Sequence, residues 1–168
     1  ILYAEIGAAP PIEMYVPRGY TRAHRKPLKI LLLTSLNAKD KKSALNAVRE
    51  MINKDPALRG PYHECTFNTW LLPAYKALLE HHKPIADSIA SGVGKRLQFV
   101  DSQIAEKVML KLLGQGIPAL PLHDSFIVAA YHVAALEQAM HDASKGVVGV
   151  AIPTSREWPI DPLFVVQN

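Results

Sequence analysis

The sequence predicts an α+β fold, mainly helical with a small antiparallel β-hairpin sheet. Three observations carry that class. Apolar residues recur at helical spacing in several segments. Two short apolar runs, Ala119-Leu120-Pro121-Leu122 and Phe126-Ile127-Val128-Ala129, are separated only by His123-Asp124-Ser125, the pattern of a hairpin with a polar tip. The 168 residues, 49% hydrophobic and 20% charged, suffice for one domain with a real core, residues 1–168. They exclude a disordered tail, a collagen-like fibre and a coiled-coil rod.

In order, residues 1–21 hold a short apolar start and an irregular connection marked by Pro10, Pro11 and Pro17. Pro27 suits the first turn of a helix, where its missing N–H costs nothing. The run Leu28 to Leu36 is apolar except for Lys29, Thr34 and Ser35, and its periodicity alone fits a buried strand as well as a buried helix. Ala44, Leu45, Val48, Met51 and Ile52 mark a helix ended by Pro56, Gly60 and Pro61. Leu71, Leu72, Tyr75, Leu78 and Leu79 mark the next. Pro84 opens a short helix through Ile85 and Ile89 that Gly92 and Gly94 stop. A further helix takes Asp101 or Ser102 as N-cap, turns Ile104, Ala105, Val108, Leu112 and Leu113 inward, and stops at Gly114 or Gly116. In the hairpin, Pro121 argues against a central, fully paired first strand. Val133, Leu136, Met140 and Ala143 face inward on a last helix stopped by Gly146. Val147 to Ile152 is a strand candidate, and the tail from Pro153, with Trp158, Pro159 and Pro162, is loop-like.

The single cysteine, Cys65, cannot close an internal disulfide, which points to a reducing, cytoplasmic compartment. It lies near His63 but in no cysteine-nucleophile setting, and reads as an inert thiol. No apolar run approaches the roughly 20 residues of a membrane helix, so no membrane partner is expected. The first residues lack the basic flank of a signal peptide and a starting Met, and the chain reads as an internal piece of something longer.

Net charge is +4, a mild bias, but its distribution is uneven. From Arg18 to Lys54 ten basic residues face only Asp40 and Glu50, so the rest of the chain is net negative. Such asymmetry points to phosphate contact by one end of the molecule, a solvated helix face being the alternative. Within this segment Arg25 and Lys29 are four apart around Pro27. At a helix start they would add two cations to the N–H groups and dipole that already attract anions, making a triphosphate cradle. Arg22 and Lys26 share the spacing and leave the register open. At the hairpin tip, Asp124 projects a carboxylate from a rigid mount. A hard cation such as Mg²⁺ takes one or two carboxylates, with waters and substrate phosphates completing its octahedron. An ordinary Asp-Ser turn is the alternative. The neighbours His81 and His82 point about 100° apart on a helix and are poorly placed to share an ion. Glu106 reads as a surface carboxylate. A hydrolase triad from His123, Asp124 and Ser125 would need adjacent members, and no G-x-S-x-G elbow occurs.

The stretch Phe99-Val100-Asp101-Ser102-Gln103 through Gly116-Ile117-Pro118-Ala119-Leu120-Pro121-Leu122-His123-Asp124-Ser125-Phe126 resembles the palm of single-subunit nucleic-acid polymerases, the phage-type RNA polymerases and the family A DNA polymerases. The tip His-Asp-Ser-Phe looks closer to the former. The likeness extends to Met140, and over about residues 22–145 once Arg25 and Lys29 are compared with the start of the fingers helix. It implies a palm/fingers-like fold, with a fingers-like helical part at 22–60 and a palm-like part at 95–168, and helix rather than strand from Pro27 to Asn37. It further implies template-directed nucleotidyl transfer, with Asp124 binding catalytic Mg²⁺ or Mn²⁺ and His123 shaping the tip beside the primer. Arg25 and Lys29 would hold the nucleoside triphosphate, and Arg22, Lys26 and Ser125 would contact the primer–template. The sequence departs from the family where Leu33 replaces an expected aromatic and Asn37-Ala38 stands near an expected Tyr-Gly. The family's second metal-binding aspartate precedes the fingers helix; here that region holds only Glu5 and Glu13, so this chain would supply half of a two-ion site. The rival reading is a replication-accessory or nucleic-acid-binding module that keeps the palm shape without synthesis. A metal-dependent phosphohydrolase would need further ligands that His24, His63, His81 and His132 are not spaced to give.

Overall fold

The computed structural model describes residues 1–62 and 67–156. The expectations for Cys65 and for Trp158, Pro159 and Pro162 lie outside the described residues. The chain is mainly helical with one two-stranded antiparallel sheet. Where the sequence reads as one domain with parts at 22–60 and 95–168, the packing divides into two compact units, Ile1–Gln103 and a second beginning at Ile104.

In the first unit, the apolar start forms a short helix, α1 (Leu2–Glu5). A 3-10 turn (Arg22–His24) leads directly into α2 (Arg25–Asn37). The strand-or-helix ambiguity resolves by periodicity in three dimensions. Leu28, Leu31, Leu32 and Ser35 are buried, a spacing of three and four that only a helix puts on one face. Pro27 lies in the first turn as expected, but α2 opens two residues earlier, at Arg25. Helix α3 (Lys41–Lys54) is capped by Asp40, whose carboxylate accepts the Ser43 N–H at 2.7 Å and the Ser43 hydroxyl at 3.0 Å. These bonds to the ionised form hold the Asp40 carboxyl below its usual range. Ala44, Leu45, Val48 and Ile52 are buried, whereas Met51, expected with them, is exposed. Helix α4 (Phe67–His81) buries Trp70, Leu71, Ala74, Tyr75 and Leu78, with Leu72 and Leu79 half-buried at the margin. Tyr62 stacks on Trp70 at 4.5 Å. These side chains form one apolar cluster with Leu28, Leu31, Val48 and Ile89.

The helix expected at Pro84 is a 3-10 helix, Lys83–Ser88. Gly92 and Gly94 do not simply stop it. The Ala90 and Gly92 N–H groups donate to the Ser35 and Ala38 carbonyls at 2.8 Å, satisfying acceptors that the end of α2 leaves open. Gly94 begins α5 (Gly94–Leu113). A Cβ at 94 would lie 2.1 Å from Asn37 Oδ1 and 3.1 Å from its Cα, so glycine lets this backbone approach α2 without displacing Asn37. The expected N-cap at Asp101 or Ser102 is therefore corrected. Both lie inside α5, and Ser102 donates back to the Phe99 carbonyl at 2.7 Å. Early in α5, Arg96 makes a two-pronged pair with Glu5 at 2.5 and 2.9 Å, which lowers the Glu5 pKa.

A buried polar clasp closes this unit. His82 is fully buried. Its Nε2–H donates to the Met14 carbonyl at 2.8 Å, so in the neutral ring Nδ1 accepts the Tyr3 hydroxyl, also at 2.8 Å. The adjacent His81 Nε2–H donates to the Glu13 carbonyl at 2.8 Å. Both histidines thus bind backbone, consistent with their poor placement for sharing an ion. Burial is the main reason the His82 pKa lies below its ordinary value. Because the folded chain resists protonating this ring, the unfolded chain binds more protons in acid. The stability it contributes is complete above the ordinary value of about 6.5 and is lost as pH falls through the depressed folded value. Denaturation midpoints measured between pH 7.5 and 5 should therefore fall with pH, and His82→Gln should flatten that slope. An unchanged slope in the variant would contradict the clasp.

In the second unit, α5 ends on Gly116 at φ 71°. The Ile117 N–H returns to the Leu112 carbonyl and the Gly116 N–H to the Leu113 carbonyl, both at 2.9 Å. Of the two expected stops, Gly116 provides the left-handed turn. Strands β1 (Leu120–Leu122) and β2 (Ser125–Ile127) pair Leu120 with Ile127, Pro121 with Phe126 and Leu122 with Ser125. The tip is thus two residues, His123 and Asp124, and Ser125, expected within it, opens β2. In such a hairpin Leu122 and Ser125 form the closing hydrogen-bonded pair, so Pro121 and Phe126 form the next, non-bonded pair. Proline therefore costs the ladder nothing. Phe126 and Val128 pack on the cluster of Val108, Leu112, Ile117, Leu136, Ala139 and Ala143, while Leu120, Leu122 and Ile127 are exposed. A 3-10 turn (Ala130–His132) precedes α6 (Val133–Val148). Two expectations fail here. Gly146 lies inside α6, and the strand candidate Val147–Ile152 is the end of that helix plus coil. The stop is Gly149, at φ 83°, and the Ile152 N–H folds back onto the Ser144 hydroxyl at 3.1 Å. Lys111 on α5 pairs with Asp142 on α6; this contact, with His141 and Gln138 also donating, pulls the Asp142 pKa down to about 2. Among the described residues no helix is long and apolar enough to cross a membrane.

Candidate functional site

The predicted residues form two groups. Arg25 and Lys29 belong to the first unit, and His123, Asp124 and Ser125 to the second.

Arg25 is the first residue of α2, and Lys29, one turn on, shares its face. Both are exposed, as are all ten basic residues from Arg18 to Lys54. The free donors expected at this helix start are reduced, because the preceding 3-10 turn takes the Arg25 N–H onto the Arg22 carbonyl. The two side chains instead meet residues that the sequence reading passed over. The Arg25 guanidinium carbon lies 5.0 Å, and the Lys29 ammonium 5.5 Å, from the centre of the Tyr15 ring. The Glu13 carboxylate lies 3.7 Å from Arg25 Nε. Nothing local in the Pro-rich connection announces this, since both partners lie ten or more residues upstream of the cations they meet. Arg22 and Lys26 are exposed and make no ion pair among the described residues. Two other cations of the segment serve packing: Arg49 lies over Phe67 at 3.7 Å and Lys41 over Tyr75 at 5.6 Å. Leu33, Asn37 and Ala38, where the polymerase pattern is broken, line an open groove of about 440 Å³ with Thr34, Ser43 and Ala47.

In the second unit the hairpin carries His123 and Asp124 outward, both exposed. His123 takes φ 55°, a left-handed conformation that costs a side-chain-bearing residue about 1–2 kcal/mol. Turns of two residues with positive φ at the first position normally place glycine there. Strain of this kind persists where surrounding structure imposes it, and it clusters at functional positions. Among the described residues Asp124 has one hydrogen-bond partner, the Ser125 hydroxyl at 3.4 Å from Oδ1. Among the described residues no group of three or more His, Cys, Asp or Glu is gathered to hold an ion. One exposed carboxylate is a hard oxygen donor suited to Mg²⁺ or Mn²⁺ that keeps its waters and takes substrate oxygens. It does not amount to the bridging carboxylates of a two-ion site. Glu5 and Glu13, the acids that precede α2, are paired with Arg96 and Arg25 in the first unit.

Comparison with protein-family models, with curated proteins and with solved structures gives no match to this chain.

Proposed function

We propose that the chain is part of a cytoplasmic template-directed nucleotidyl transferase, a DNA or RNA polymerase of the palm and fingers type. The observation that carries this reading is Asp124 exposed beside a strained His123, at a two-residue tip between two helices. The order helix, strand, His-Asp tip, strand, helix is the one the polymerase resemblance implies. Exposure of all ten basic side chains from Arg18 to Lys54 supports a polyanionic partner.

In this reading a 3′-hydroxyl attacks the α-phosphorus of a nucleoside triphosphate in line. A new O–P bond forms as the bond to the α–β bridging oxygen breaks, the hydroxyl proton passes to water, and pyrophosphate leaves. Asp124 offers its carboxylate oxygens to Mg²⁺ or Mn²⁺. Such an ion, when bound, supplies charge neutralisation on the phosphate oxygens. Lys29 meets the negative charge that grows on the leaving pyrophosphate, and Arg25 presents a planar fork to two phosphate oxygens. Arg22 and Lys26 contact the nucleic-acid backbone, as Ser125 would beside the tip, so binding weakens steeply with salt. A second reading, a nucleic-acid-binding module without synthesis, draws on the single carboxylate at the tip.

Primer extension by the intact protein tests the first reading against the second. It should be run with ribo- and deoxyribonucleotides, with Mg²⁺ or Mn²⁺ present or chelated. Ion-dependent extension is expected. Salt-sensitive binding of primer–template without extension would select the second reading. Within the first, Lys29→Ala should raise the half-saturating triphosphate concentration about tenfold, the loss of one charge-assisted contact. An unchanged requirement in a nucleotide titration would remove Lys29 from the site.

A further inference from the structure

Residues 13–15 form a strap across the start of α2, and it is fixed from both sides. Its carbonyls at Glu13 and Met14 are each held at 2.8 Å by the Nε2–H groups of His81 and His82. The Met14 side chain packs with Leu2, Tyr3 and Ile85, and the Tyr15 ring packs against the main apolar cluster of the first unit. The ring is anchored by these contacts, and among the described residues it is an aromatic surface that Arg25 and Lys29 both address. Two like charges one helical turn apart repel, and both belong to long, flexible side chains. A fixed aromatic ring offsets the repulsion through its electron-rich face and narrows the rotamers each chain can adopt. Ordering done before a ligand arrives need not be done on binding. Glu13, 3.7 Å from Arg25 Nε, acts as a resident counter-ion that an incoming phosphate would replace.

We infer that Tyr15, held by the His81–His82 clasp, is a positioning residue that sets Arg25 and Lys29 as one anion-binding pair. This rests on the phosphate role proposed above for those two cations. Tyr15 itself touches no reacting atom.

The test is calorimetric titration of the full chain with inorganic tripolyphosphate in the absence of divalent ions. The unaltered chain should bind, and Lys29→Ala should weaken binding about tenfold. Tyr15→Leu should weaken it about three- to tenfold, and Tyr15→Phe, which keeps the ring, should return it to within about twofold of the unaltered chain. A thermal melt accompanies each variant; should leucine disturb the fold, Tyr15→Met repeats the test with a longer apolar chain. Recovery by phenylalanine separates positioning by the ring from general support of the fold. Full affinity in folded Tyr15→Leu or Tyr15→Met, with Lys29→Ala impaired, overturns the role of Tyr15 alone. No binding by the unaltered chain overturns the phosphate role of the cations and this inference with it.

Discussion

Asp124→Asn should abolish ion-dependent nucleotide incorporation, by at least about a hundredfold, while leaving the fold intact. The amide keeps the size of the side chain but loses the charge that a hard divalent ion requires of its ligand. Asp124 is exposed, and among the described residues its one hydrogen-bond partner is the Ser125 hydroxyl at 3.4 Å. Surface changes of this kind alter stability by about 0.5 kcal/mol or less. Steady-state incorporation and a thermal melt, made on the same preparation, check both halves. Near-normal incorporation by the variant would remove Asp124 from the chemistry and the nucleotidyl-transfer proposal with it.

The largest effect on stability is expected from Leu112→Ala. Leu112 is fully buried, and it supplies the carbonyl that receives the Ile117 N–H at the end of α5. Truncating a fully buried leucine costs about 2–5 kcal/mol through lost transfer energy and the cavity left behind. Among the described residues, the buried cluster of the second unit has six apolar members, two of them alanine. Small cores have little stability in reserve. Amide exchange in α6 and the hairpin should accelerate by at least about thirtyfold, the factor that corresponds to the low end of that range. Exchange in α2 and α3 reports on the first unit separately. A shift below about 1 kcal/mol would mean that the cluster is not the support of the hairpin. Leu112→Ala should also reduce incorporation, but together with loss of protection, and that distinguishes it from Asp124→Asn.

Much of the helical framework was legible because buried residues repeat at helical spacing and the punctuation is local. Asp40 before α3 and Gly116 after α5 act through bonds to residues within five positions. The failures share a cause. Gly94 reads as a stop unless one knows that Asn37 comes to 2.1 Å from where its Cβ would stand. Gly146 reads as a stop too, yet α6 runs on to Gly149, where the backbone turns left-handed. At the candidate site, the tip and the two cations were visible as charged residues at telling positions. Tyr15 and Glu13 were not, because the contacts that matter to them are made across an irregular connection whose path no periodicity records. The exposure of Leu120, Leu122 and Ile127 was equally hidden: an apolar strand reads the same whether or not another layer covers it.

The location of Pro121 has a consequence for how this protein behaves at high concentration. Leu120 and Leu122 direct their N–H groups toward β2, so the outer side of β1 depends on residue 121 for any donor, and proline has none. A foreign extended segment arriving on that flank would find a carbonyl to bind but no hydrogen to accept. Runaway strand-by-strand stacking is blunted there by one imino acid, even though the aliphatic groups above it are bare to solvent.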